Sequence, residues 1–277
     1  MKQFELSPQL VFEGGNVFKT SDGYPRTTRI PLALISPTLD WLEKITGLPM
    51  HGMTLGSVGK KASSGDIDIV VDSKKMSKAQ FAQSLQNWVL SQGLNPKEYV
   101  KPAGEVHLLT PIAGDPKNGF VQTDFFFHDD PQWMKFSMQS PGDASNYTGA
   151  ERNQLMSSIA KALGMKYSWQ RGLLNREDES VISTDPDVIA QKLLGPRFTH
   201  DSFQSVETIQ RAIKGNRAIH QGLTELIQTL RSSDKLGPTG KPTMDVKTGK
   251  FKQKSPSEQR KSEEEAARIE QLTGVAV

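Results

Sequence analysis

Apolar and polar positions alternate along residues 66–72 (DIDIVVD): Ile67, Ile69 and Val71 are set against Asp66, Asp68 and Val70, and this period of two predicts a strand. Upstream, SPTLDWLEKITGL changes to helical spacing with Leu39, Leu42 and Ile45 on one face. Ser36 as cap, Pro37 at the first helical position and Gly47 as stop predict the limits of that helix. Residues 77–92 repeat the helical pattern through Phe81, Leu85, Trp88 and Val89 and halt at Gly93. EVHLLTPI and GFVQTDFFF read as two further strands, and the Gly, Pro and Asn of GDPKNG between them suit a hairpin connection. Near the start, GGNVFKTSDGYPRTTRI reads as loop or short hairpin.

Residues 131–150 keep neither period and are expected to be irregular. From Ala150 to Arg231 the pattern is mostly helical, with Leu155, Ile159 and Leu163 on one face. A short hairpin is expected in GLLNREDESVIST, followed by helices around DPDVIAQKLLG and SVETIQRAIKGNRAIHQGLTELIQTLR. Beyond Ser232 the chain is rich in Lys, Gly, Pro and Ser and too poor in apolar residues for a core, so a disordered tail is expected. EEEAARIEQL within it reads as a solvated charge run. The fold class expected is α+β. Residues 1–50 form an N-terminal adjunct with one helix, 51–145 a small mixed or antiparallel sheet with flanking helices, 146–231 a mostly helical domain and 232–277 a charged tail.

Composition narrows the function classes more than it selects one. The 277 residues are 35% hydrophobic and 23% charged, and no apolar run reaches the roughly 20 residues of a bilayer-spanning helix. The N-terminus lacks a signal-peptide core, so a cytoplasmic protein is expected. With no cysteine, disulfides, thiolate zinc sites and a cysteine nucleophile are excluded, leaving Asp, Glu and five His as metal ligands. A net charge of +3 favours polyanionic partners only weakly.

The chemistry concentrates in LGSVGKKASSGDIDIVVD, residues 55–72. Asp66 and Asp68, two apart on a strand, leave the same face roughly 7 Å apart along the chain. Their repulsion is relieved by a divalent cation, and Mg²⁺ suits a few carboxylate oxygens completed by phosphate and water. Asp124, a single acid in the apolar strand VQTDFFF, is the candidate third ligand. Three carboxylates can hold two ions about 4 Å apart for an in-line displacement. Gly56 and Gly65 let backbone approach a ligand at both ends of the loop, Ser57 and Ser64 offer hydroxyls, and Lys60 or Lys61 offers positive charge to phosphate. His107 and His128 flank the Asp124 strand and read as surface residues outside any ligand set.

The string GSVGKKASSGDIDIVVD resembles the signature of the nucleotidyltransferase superfamily related to DNA polymerase beta, and its SGDIDI core is closest to the family X DNA polymerases. The resemblance implies a palm sheet followed by a thumb-like domain. It implies phosphate binding by Gly56, Ser57, Lys60 or Lys61, Ser64 and Gly65, and two Mg²⁺ ions, replaceable by Mn²⁺, held by Asp66, Asp68 and Asp124. A weaker similarity runs to about residue 200: Tyr147-Thr148-Gly149 matches the segment packed against the nucleotide sugar, and Asn153 the residue that reaches the base. The motif loop is one residue shorter than the family pattern. Residues 1–50 are too few for the family's lyase and fingers domains, and no helix-hairpin-helix signature follows.

The implied reaction moves a nucleoside monophosphate from a nucleoside triphosphate to an acceptor hydroxyl, with nucleic acid the expected acceptor and no membrane partner. A minimal DNA polymerase or terminal transferase is one reading, with the basic stretch Lys241–Lys261 adding salt-sensitive contacts. A transferase acting on RNA, protein or a small molecule is another, and a catalytically silent nucleic-acid-binding module a third.

Overall fold

The computed structural model describes residues 17–141, 145–235, 242–245, 250–275 and 277. The first residues of GGNVFKTSDGYPRTTRI, 14–16, thus lie outside the described residues. The chain divides into two compact units, one of residues 1–54 and 61–129, the other of residues 55–60 and 130–277. Both mix helices with small sheets. Among the described residues, no helix is long and apolar enough to cross a membrane.

In the first unit, Lys19 bridges Pro25 across a tight turn, as the loop-or-hairpin reading of that stretch expects. The short strand β1 (Ile30–Pro31) runs straight into α1 (Leu32–Thr46) and pairs with β2 (Ser63–Ser64). This corrects the helix start expected at Ser36-Pro37, because Pro37 lies inside α1. The helix begins where the β1–β2 pairing ends, and the Leu32 N–H donates to the Ala62 carbonyl at 3.0 Å. Gly47 does close it, in the left-handed conformation at φ 70°.

The main sheet contains β3 (Asp66–Asp72), β4 (Val100–Pro102), β5 (Val106–Pro111) and β6 (Phe120–His128) in the order β3-β6-β5-β4. β3 runs parallel to β6, whereas β5 is antiparallel to both β6 and β4. The parallel pair needs a crossover, which contains α2 (Lys78–Ser91) and the single turn α3 (Pro96–Tyr99). Ser77 and Gln80 form a capping box at the start of α2. Phe81 of α2 meets Phe125 edge-on at 4.7 Å between ring centres, so the face bearing Ile67, Ile69 and Phe125 is buried. The opposite face is thereby left to Asp66, Asp68, Gln122 and Asp124.

Most of the second unit's buried apolar residues form one cluster. The unit begins with α4 (Pro131–Ser137), capped by the Asp130 carboxylate with Pro131 at the first position. This helix corrects the irregular reading of residues 131–150, and Trp133, Met134, Phe136 and Ser137 are its buried residues. α5 (Gly149–Ala162) follows with a Thr148–Glu151 capping box. Leu155 and Ile159 are buried and Leu163 is half-buried, as expected. β7 (Met165–Ser168), β8 (Gly172–Asn175) and β9 (Val181–Ser183) form an antiparallel sheet whose last two strands are the expected hairpin. α6 (Pro186–Leu194) is followed by α7 (Val206–Ile213) and α8 (Arg217–Arg231). The long helix expected over the last pair breaks at Gly215, φ 81°, and restarts where the Asn216 side chain accepts from the Ile219 N–H at 3.2 Å.

The expected disordered tail is corrected over residues 256–273, while its residues 236–241, 246–249 and 276 lie outside the described residues. Residues 256–273 form α9 (Pro256–Thr273), opened by a Ser255–Glu258 capping box and closed by Gly274. Ala266, Ile269, Leu272 and Val275 lie in the buried cluster. Charged groups flanking that stripe tie it down: Lys161 pairs with Glu265 at 2.9 Å and Arg231 with Glu270 at 2.7 Å. A sparse apolar stripe every third residue is enough for burial when neighbouring helices supply the rest of the core.

Candidate metal centre

The register of the main sheet sets the site. Asp68 stands directly opposite Asp124 on the parallel pair β3–β6, and Asp66 opposite Gln122. These four side chains therefore share the face not occupied by α2. A ligand oxygen from each of Asp66, Asp68 and Asp124 lies within 4.8 Å of the other two. Asp66 and Asp68 are half-buried and Asp124 is buried. The structure thus brings together the three expected ligands, all within the first unit.

Among the described residues Asp124 pairs with a histidine and a glutamine and not with a lysine. His107 Nδ1 lies 2.7 Å from its Oδ1, and Gln122 Nε2 donates to its Oδ2 at 2.9 Å. Gln122 Oε1 accepts in turn from the Val17 N–H at 3.0 Å. His107 is buried, which corrects its reading as a surface residue. It sits opposite Asp124 on β5, with Lys101 of β4 opposite it on the far side, so Asp68, Asp124, His107 and Lys101 form one polar row across four strands. Lys101 Nζ donates to the Val17 carbonyl and lies 5.1 Å from the centre of the Phe18 ring, anchoring the chain at residues 17–18 beside this row. His128, half-buried, lies 3.5 Å from Asp129.

The donor set suits a hard divalent cation. It supplies oxygens only, and three carboxylates in one cluster carry a charge that a cation offsets. Beside the first of them, Ser64 on β2 is buried, and its Oγ has no hydrogen-bond partner among the described residues. Gly65 is exposed, and a Cβ there would meet only the Arg29 guanidinium, at 3.5 Å. Lys61 is exposed in the same unit.

The remaining expected residues belong to the second unit. Gly56 adopts φ 63° and bridges Gln139, and the Ser57 carbonyl accepts from the Lys60 N–H at 3.1 Å in a tight turn. Lys60 Nζ donates to the Ser140 carbonyl at 2.8 Å. Burial, reinforced by the charge of Arg152, holds the Lys60 ammonium below its ordinary pKa. Gly149 opens α5, where an added Cβ would meet the Gln139 carbonyl at 2.9 Å, so its glycine is explained by close packing. Tyr147 packs partly buried on the apolar cluster. The Asn153 amide donates to the Ser137 carbonyl at 2.8 Å, and its Oδ1 accepts from Arg152 at 3.0 Å. These contacts give Gly149, Tyr147 and Asn153 structural roles within the unit.

Arg152 itself is fully buried, lies over the Phe136 ring at 4.7 Å and donates to the carbonyls of Phe203 and Ser137. Burial lowers its pKa to about 10 and raises that of Tyr167 to about 12. A second group with metal-ligating atoms, Asp40, Glu43 and His51, lies in the first unit. Its Glu43 carboxylate accepts from the Met50 and His51 N–H groups at 2.7 and 3.0 Å, and His51 pairs with Asp40 at 2.8 Å. It holds together the exit of α1.

Comparison with family models, with curated proteins and with solved structures finds no match to this chain.

Proposed function

We propose that the chain is a metal-dependent nucleotidyltransferase whose metal centre is Asp66, Asp68 and Asp124. The observation that carries this reading is the convergence of three carboxylates from two paired strands within 4.8 Å, joined to the SGDIDI sequence that resembles the family X polymerases. A palm-like role for the main sheet belongs to the same proposal. Mg²⁺, or Mn²⁺ in its place, when held by the three aspartates would neutralise phosphate charge and make an acceptor hydroxyl more acidic.

The chain's own groups have defined tasks in this reading. Asp66 and Asp68 bind and neutralise, and Asp124 orients the acceptor side. Ser64 Oγ offers a hydrogen bond to a phosphate oxygen. Gly65 lets backbone approach it, and Lys61 adds charge. The acceptor oxygen bonds to the α-phosphorus, the α–β anhydride bond breaks, pyrophosphate leaves and the hydroxyl proton passes to water. Positioning and electrostatics then supply most of the rate.

The acceptor is taken to be nucleic acid. The test is incubation of the full chain with each α-labelled nucleoside triphosphate, Mg²⁺ or Mn²⁺, and DNA, RNA or protein acceptors, with and without template. Label on a polynucleotide supports the reading and its template requirement sorts polymerase from terminal transferase. Label on protein alone redirects the acceptor, and no label with any acceptor overturns the proposal.

A further inference from the structure

Asp124 is gripped at both oxygens, by His107 Nδ1 at 2.7 Å and by Gln122 Nε2 at 2.9 Å. A carboxylate only accepts hydrogen bonds, so a contact with the Asp124 carboxylate at this distance requires the His107 tautomer that carries a proton on Nδ1. Gln122 is fixed in turn, because the Val17 N–H donates to its Oε1 at 3.0 Å and leaves its amide nitrogen facing Asp124. Turning the Asp124 carboxyl group about its Cβ–Cγ bond would break both bonds at once. β6 lies between β3 and β5, so His107 and Asp68 flank Asp124 from opposite sides. One lone pair on each oxygen is spent on this grip, and another on each remains.

We infer that His107 and Gln122 are positioning residues, holding the Asp124 carboxylate turned toward Asp66 and Asp68 so that its remaining lone pairs face a shared cation. The inference rests on the reading of the three aspartates as a divalent-cation centre. Groups that orient metal ligands by hydrogen bonding typically change metal affinity about 10- to 100-fold when removed. A buried Asp–His pair that merely satisfied two polar groups would change stability and leave metal affinity alone.

The experiment is Mn²⁺ binding to the full-length protein, followed by electron paramagnetic resonance of the free ion, with urea unfolding measured in parallel. The variants are Asp68→Asn, His107→Asn, His107→Ala and Gln122→Met. Asparagine places an amide nitrogen close to where Nδ1 stands, and methionine keeps the length of Gln122 without its donor. The wild type binds Mn²⁺ and Asp68→Asn abolishes it. His107→Ala and Gln122→Met weaken it about 10- to 100-fold, while His107→Asn stays within about threefold of wild type. If His107→Ala fails to fold, Gln122→Met carries the test. Unchanged affinity in a folded His107→Ala or Gln122→Met protein, or a His107→Asn loss as large as that of His107→Ala, overturns the positioning role while leaving the metal centre standing. Absence of Mn²⁺ binding by the wild type overturns both.

Discussion

Asp68 and Asp124 occupy directly opposed positions on parallel neighbouring strands, with Asp66 close enough for ligand oxygens of all three to lie within 4.8 Å. Like charges placed directly across neighbouring strands are destabilising, and burial of Asp124 adds to that cost. His107 and Gln122 offset part of it for Asp124. A bound cation would offset the remainder.

Divalent cations are therefore expected to stabilise the protein. At a concentration about 100 times the dissociation constant the gain is about 2.7 kcal/mol. Thermal unfolding of the wild type should shift upward with Mn²⁺ or Mg²⁺, and that of Asp124→Asn should not. An equal shift in both proteins would assign the ion to another site.

α9 is expected to be part of the second unit's core, not an appendage. Ile269 is fully buried there, so Ile269→Ala should lower stability by about 2–5 kcal/mol through lost burial and a residual cavity. Denaturant unfolding followed by tryptophan fluorescence reads this directly. A change within experimental error would return the segment to the status of a solvated tail.

Gly222 lies inside α8, where alanine would ordinarily favour the helix by about 1 kcal/mol. A Cβ there would stand 2.8 Å from the Ala162 carbonyl oxygen at the end of α5. Forcing backbone apart in a packed core costs about 1–3 kcal/mol, so the contact outweighs the propensity and Gly222→Ala should be net destabilising. A stabilised Gly222→Ala protein in chemical denaturation would show that the two helices can separate at little cost.

His200 and Asp187 give a pH dependence with a definite sign. The Asp187 side chain accepts from His200 Nδ1 at 2.7 Å, and this bond raises the imidazole pKa above the ordinary 6.5. A raised folded-state pKa gives stability that is fully present below the unfolded value and is lost as pH rises through the folded value. Both groups are largely exposed, so the contribution to stability is small. The NMR titration midpoint of His200 should fall in Asp187→Asn, and an unmoved midpoint would contradict the assignment.

Much of the site was legible because β3 and β6 obey period two. Ile67, Ile69 and Phe125 had to face a core, which left Asp66, Asp68 and Asp124 to the other side. His107 was misread because its burial depends on the β5–β6 register, a relation between distant segments that no local pattern contains. α1 was started too late because Ser36-Pro37 imitates a helix cap, while the true start is set by the pairing of Ile30 with Ser64. α4 did carry a local signal, Asp130 followed by Pro131, but its few residues show no full apolar period. α9 was missed for the opposite reason: Ala266, Ile269 and Leu272 are regular yet diluted by acids and arginines, and only the surrounding helices make them core.

The central claim is tested most directly by transfer of label from an α-labelled nucleoside triphosphate to a polynucleotide, comparing the wild type with Asp68→Ala at equal, verified folding. The account predicts Mg²⁺- or Mn²⁺-dependent transfer by the wild type and its loss in Asp68→Ala by three or more orders of magnitude, roughly the scale of removing an essential catalytic group. Undiminished transfer by Asp68→Ala, or none by the wild type, would contradict it.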